Sequence, residues 1–157
     1  MNVQNRVIVG VALFMLLLFS CSAYRQANEL KQNQSLWMEQ KASSYKYTFR
    51  HGCFCSPETT DPVFIEVRNG EQISITRPTK TTLKPQGFEQ YGTIEKLFEL
   101  VQSTINSNPY ELTVEYNRQY GYPSRISINP NKNVADDEDS YTVSNFQVIQ
   151  LSGAEKS

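Results

Sequence analysis

The chain has 157 residues, 39% of them hydrophobic, which is enough for one domain with a core of ordinary size. Its 15 Lys and Arg against 16 Asp and Glu leave a formal net charge of −1, so no basic footprint points to nucleic acid. One histidine and three cysteines confine any thiol, imidazole or soft-metal chemistry to a handful of positions.

The first six residues carry one positive charge, Arg6, and no acid. Val7 to Phe19 is then an apolar run interrupted only by Gly10 and Ala12. A basic start followed by a short apolar stretch is the plan of a secretory signal peptide. A membrane-spanning helix needs about 20 apolar residues, more than this run supplies. Leu18-Phe19-Ser20-Cys21 resembles the bacterial lipobox, in which a small residue precedes a cysteine that is lipidated and becomes the new N-terminus. The expectation is a lipoprotein signal over residues 1–20 and a lipidated Cys21, leaving 137 of the 157 residues in the mature chain. Two or more acyl chains give a stable anchor where one does not. Ser22 beside the anchor favours the outer membrane, facing the periplasm, if the cell is Gram-negative. Removing Arg6 with the signal takes the net charge from −1 to −2.

Residues 21–35, rich in Gln, Asn and Lys, read as a tether leading into an N-terminal helix, with Leu30, Trp37 and Met38 on one face. Residues 36–150 read as a single α+β domain, and 151–157 as a disordered tail. Tyr45, Tyr47 and Phe49 alternate with polar residues, as a half-buried strand does, and Val63, Ile65 and Val67 repeat the pattern. Asn69-Gly70 is a two-residue hairpin signal, after which Ile73 and Ile75 resume the alternation. Arg77 to Gln90 reads as a loop. Thr93 is placed as a helix N-cap with Glu95 in the first turn, favourable to the helix dipole. Ile94, Leu97, Phe98, Val101 and Ile105 form an apolar stripe, and Pro109 stops the helix. Leu112 to Tyr116, Arg125 to Ile128 and Tyr141 to Val148 complete an expected antiparallel sheet of about six strands, with one amphipathic helix packed on it.

The motifs Cys53-Phe54-Cys55, Tyr91-Gly92-Thr93-Ile94-Glu95-x-Leu97-Phe98 and Gly121-Tyr122-Pro123, with the acidic run Asp136 to Asp139 before Tyr141, carry a resemblance. Over residues 37–146 the chain resembles an uncharacterised family of bacterial secreted proteins and lipoproteins, a domain of unknown function. Asn117 stands where such proteins often have an acid. The resemblance implies export and fold; it implies no catalytic residue.

Three constellations could carry chemistry. His51-Gly52-Cys53-Phe54-Cys55 is the densest. Cys53 and Cys55 read first as a disulfide, the form that persists after export. In an extended strand their Cα atoms would lie about 6.5–7 Å apart, at or past the limit for bridging, so the backbone must bend there. The rival reading is a Cu or Zn site built from His51, Cys53 and Cys55, or a thiol-redox role; a structural zinc wants a fourth ligand that the spacing does not provide. Asn129, Asn131 and Asn133 with Asp136, Asp137, Glu138 and Asp139 offer oxygen ligands for Ca, without EF-hand spacing. An acidic loop also simply keeps a neighbouring strand soluble. Tyr116, Tyr120 and Tyr122 around Gly121 could line a binding surface or pack the end of the sheet. No nucleophile elbow, phosphate loop or His-Glu-x-x-His occurs. The expectation is no enzyme and no resident cofactor: a non-catalytic envelope binding or accessory module whose partners are the membrane and an envelope protein. The alternative is a metal-binding or thiol-redox accessory protein.

Overall fold

The computed structural model describes residues 23–40, 42–79, 83, 88 and 91–149. The expected signal peptide, Cys21 and the expected tail 151–157 lie outside the described residues. The element order is α1 (23–39), β1 (Tyr45–Gly52), a one-turn α2 (Pro57–Thr60), β2 (Val63–Arg68), β3 (Glu71–Thr76), α3 (Ile94–Ser107), β4 (Glu111–Tyr116), β5 (Pro123–Asn129) and β6 (Asp139–Val148). The fold is α+β, as the sequence patterns predict.

All strand pairings are antiparallel, in the order β3-β2-β1-β6-β5-β4. Two meanders, β1-β2-β3 and β4-β5-β6, therefore meet at the central β1–β6 pair. The chain leaves one edge after β3 and re-enters at the opposite edge with β4, so α3 crosses between them.

One face of the sheet carries the core. From β1 it receives Tyr45, Tyr47 and Phe49, from β2 Val63, Ile65 and Val67, and these are buried with Ile75, Ile126, Tyr141 and Val143. Against them α3 sets Ile94, Leu97, Phe98 and Val101, the stripe read from the sequence. At its start Thr93 Oγ1 accepts from the Lys96 amide. At its end Asn108 takes a left-handed cap conformation with its N–H on the Ile105 carbonyl, and Pro109 follows. The other sheet face is mostly polar, with Lys46, Arg50, Thr113, Glu115, Arg125 and Ser144 exposed and Phe64 among them.

Three local expectations are corrected. Most of the stretch read as a tether is helical: α1 is already formed at residue 23, and Leu30 and Trp37 are buried, whereas Met38, expected on their face, is 63% exposed. The stretch's polar residues occupy the solvent side of a helix whose inner side is thinly but sufficiently apolar. Ile73 does not join the core beside Ile75. A register shift after Glu66 sets Gln72 opposite Val67, which leaves Ile73 55% exposed while Ile75 is 1% exposed. A second irregularity lies in β6. Thr48 pairs with Ser144 and Lys46 with Gln147, so Asn145 and Phe146 together oppose Tyr47, with Asn145 at φ 52. The extra residue turns Phe146 inward, onto Trp37, Tyr45, Tyr120 and Tyr122.

Candidate functional site

His51 extends the inward-facing series 45, 47, 49 by one more alternation, which places its ring on the helix-covered side at the end of β1. Its register partner across β1–β6 is Tyr141. The two rings stack with centroids 4.6 Å apart and planes 9° apart, and Tyr91 lies 5.9 Å from the imidazole. Asp139, two residues before Tyr141 and so on the same face, puts Oδ1 2.8 Å from His51 Nε2. In the neutral imidazole, a carboxylate there accepts a hydrogen bond from Nε2–H, and Nδ1 is then the acceptor nitrogen. Nδ1 lies 3.9 Å from the Sγ of Cys53.

Cys53 and Cys55 are a close pair. Their Cα atoms are 5.3 Å apart, inside the range that a disulfide spans. The chain bends over residues 53–55 as it leaves β1, which shortens the distance an extended strand would impose. Gly52 fits the departure: a Cβ there would meet Ser140 Oγ at 2.5 Å. Among the described residues, the His, Cys, Asp and Glu side chains gathered closely enough to hold an ion are His51, Cys53 and Cys55, whose ligand atoms lie within 4.8 Å of one another. Cys55 is exposed, and Phe54 between the cysteines is 82% exposed.

The acidic loop is divided. Asp139 is turned toward His51, Asp136 is exposed at φ 67, and Asp137 is half-buried. Asp136, Asp137 and Asp139 do not gather as a group that could hold an ion. Glu138 accepts from Asn129 Nδ2 at 3.1 Å.

The tyrosines near Gly121 pack the structure's end. Tyr122 is buried, its ring 4.6 Å from that of Phe146 and edge-on to Trp37, while Tyr116 and Tyr120 are partly buried against the core. Gly121, at φ +80, abuts α1 so closely that a Cβ would lie 2.4 Å from the Asn33 carbonyl oxygen. Asn117 holds the turn: its Oδ1 accepts from the amides of Gln119 and Tyr120. A carboxylate could accept the same two bonds, which is why an acid can stand there.

In the sequence Asp139 groups with oxygen ligands for calcium, and only the fold joins it to His51. The available signal was the alternation Asp139-x-Tyr141, which puts both on one strand face. Glu95 has a role beyond the helix dipole that no local sequence signal announces. Glu95 Oε1 accepts from Trp37 Nε1 at 2.9 Å and Oε2 accepts from Tyr45 OH at 3.0 Å. The Tyr45 oxygen in turn accepts from the amide of Ile94, an otherwise orphaned first-turn donor. One carboxylate thus ties α1, β1 and α3 together. Burial, with Glu95 adding repulsion, raises the Tyr45 phenol far above its ordinary value near 10. Burial also raises Tyr141, with Asp139 and Tyr91 contributing.

Residues 29–148 match a family of unknown function (DUF6174), and the chain belongs to that family. No curated protein and no solved structure matches it.

Proposed function

Membership in a family of unknown function supplies no activity, and we propose from the residues themselves that this is a lipid-anchored protein of the bacterial cell envelope whose domain is a non-catalytic binding or accessory module. Cys21 carries the lipid, after a signal over residues 1–20 is removed. The domain faces the periplasm from the outer membrane where the cell has one. No helix of the described residues is long and apolar enough to cross a membrane, and a lipid anchor requires none. Because α1 is already helical two positions after Cys21 and continues into the core, the domain rides close to the bilayer.

The observation that carries the non-catalytic reading is that His51, the chain's single histidine, turns the nitrogen not held by Asp139 toward the close cysteine pair. Any Ser–His or Cys–His system would have to use it. Its Nε2 faces Asp139, its ring is stacked on Tyr141, and its Nδ1 faces the close cysteine pair. With the cysteines joined as a disulfide, which this reading includes, no thiolate nucleophile remains beside it.

The test is expression of the full chain and its Cys21→Ser variant in a bacterium fed an alkyne-labelled fatty acid. The expected result is label and membrane recovery for the parent, and neither processing nor label for the variant. Equal labelling of both would contradict the anchor. Hydrolytic or transfer activity that disappears with His51→Ala would contradict the non-catalytic reading.

A further inference from the structure

We infer that His51, Cys53 and Cys55 form a redox-gated site for one Cu(I) ion, closed while the cysteines are joined and opened when a dithiol reductant separates them. The inference rests on the geometry around His51 and not on the lipid anchor.

The imidazole is prepared as a ligand. Metal-bound histidines usually give their other N–H to a carboxylate, which fixes the tautomer and aims the bare nitrogen. Here Asp139 Oδ1 sits 2.8 Å from Nε2, the Tyr141 ring holds the imidazole plane, and Nδ1 points at Cys53 Sγ. Bond lengths of about 2.0–2.3 Å to nitrogen and sulfur put neighbouring ligands of a trigonal centre about 3.8–4.0 Å apart. The Nδ1 to Cys53 Sγ separation is 3.9 Å. Reduction lets the exposed Cys55 swing its sulfur away from Cys53 to a similar spacing, and the three donors already lie within 4.8 Å of one another.

The choice of ion follows from the donors. Two thiolates and one imidazole suit a soft ion. A structural zinc takes four ligands. Asp139 cannot supply the fourth, because it occupies the opposite nitrogen of the same ring. Three-coordinate Cu(I) needs none. A dithiol gives two electrons and two protons to the Cys53–Cys55 bond and becomes a disulfide itself. The two new thiols then release their protons as they bind Cu(I), and His51 Nδ1 binds as a neutral donor.

The experiment uses the full-length protein in detergent, without oxygen, reduced by a phosphine that is then removed. It is titrated with Cu(I) against a chromophoric bis-chelator. One Cu(I) per reduced chain is expected, with none on oxidised or thiol-alkylated protein. His51→Ala should lose the tight site, and Asp139→Asn should weaken it by about 10–100-fold with the thiols intact. Thermal unfolding of each apo variant separates a lost ligand from a lost fold. Copper held equally by oxidised protein, or undiminished affinity in His51→Ala, would overturn the assignment. So would a reduced parent that retains no copper. None of these outcomes bears on acylation of Cys21, which is read separately.

Discussion

Replacing Gly121 by alanine tests how the turn between β4 and β5 is docked on α1. Two costs combine at this position. Gly121 has φ +80, where an L side chain costs about 1–2 kcal/mol. Its Cβ would also lie 2.4 Å from the Asn33 carbonyl oxygen, 3.0 Å from Leu36 Cβ and 3.1 Å from the Trp37 amide nitrogen. Two of these three neighbours are helix backbone, which cannot yield by rotating a side chain. Relief requires α1 to move away from the sheet, and overpacking of this kind costs about 1–3 kcal/mol. The expected loss is therefore about 2–5 kcal/mol in total, a large share of the roughly 5–15 kcal/mol by which a domain is stable. Gly70→Ala is the internal control. Gly70 also has φ +80, but a Cβ there meets nothing within 4 Å, so only the backbone cost of about 1–2 kcal/mol applies. Urea unfolding followed by Trp37 fluorescence reads both variants, since the indole lies at the contact. Equal losses for the two variants would refute the claim that the turn is seated on the helix.

Tyr45→Phe removes the donor to Glu95 and the acceptor for the Ile94 amide at once, and should cost about 1–3 kcal/mol in the same urea assay. The phenols of Tyr45, Tyr47, Tyr116, Tyr122 and Tyr141 are all raised, chiefly by burial. Below pH 10 these groups keep their protons in both states and stability does not depend on them. As pH rises past 10 the unfolded chain ionises first, so stability falls, by up to about 1.4 kcal/mol per pH unit for each tyrosine. Unfolding free energies measured from pH 8 to 11 should be flat and then drop steeply; a flat profile to pH 11 would contradict the burial of these hydroxyls. Reducing the Cys53–Cys55 pair opens a loop of only three residues, so the domain should lose no more than about 2 kcal/mol and keep its far-ultraviolet circular dichroism.

Much of this fold is legible in the sequence because its signals are local. Alternation at Tyr45, Tyr47 and Phe49, the Asn69-Gly70 turn and the stripe from Ile94 to Val101 each report one element's own geometry. The strand order is not legible, because pairing of β1 with β6 depends on contacts across almost a hundred residues. The bulges are hidden for a related reason: Ile73 and Asn145 depart from the pattern because of what their partner strands require. The polar composition of residues 23–35 concealed how early α1 starts, since Leu30 and Trp37 are few but sufficient when Tyr45, Tyr122 and Phe146 stand ready to receive the indole. In the site, His51, Cys53 and Cys55 announce themselves by residue type and closeness in sequence. Asp139 does not, because it reaches His51 only through the β1–β6 register.

The most direct measurement is the intact mass of the full chain recovered from bacterial membranes, taken before and after denaturation with a thiol alkylator. The expected species begins at Cys21, carries acyl mass there, and is two hydrogens light with Cys53 and Cys55 resisting the alkylator. A chain that still begins at Met1 without acyl mass, or one whose Cys53 and Cys55 both alkylate without prior reduction, would contradict the account.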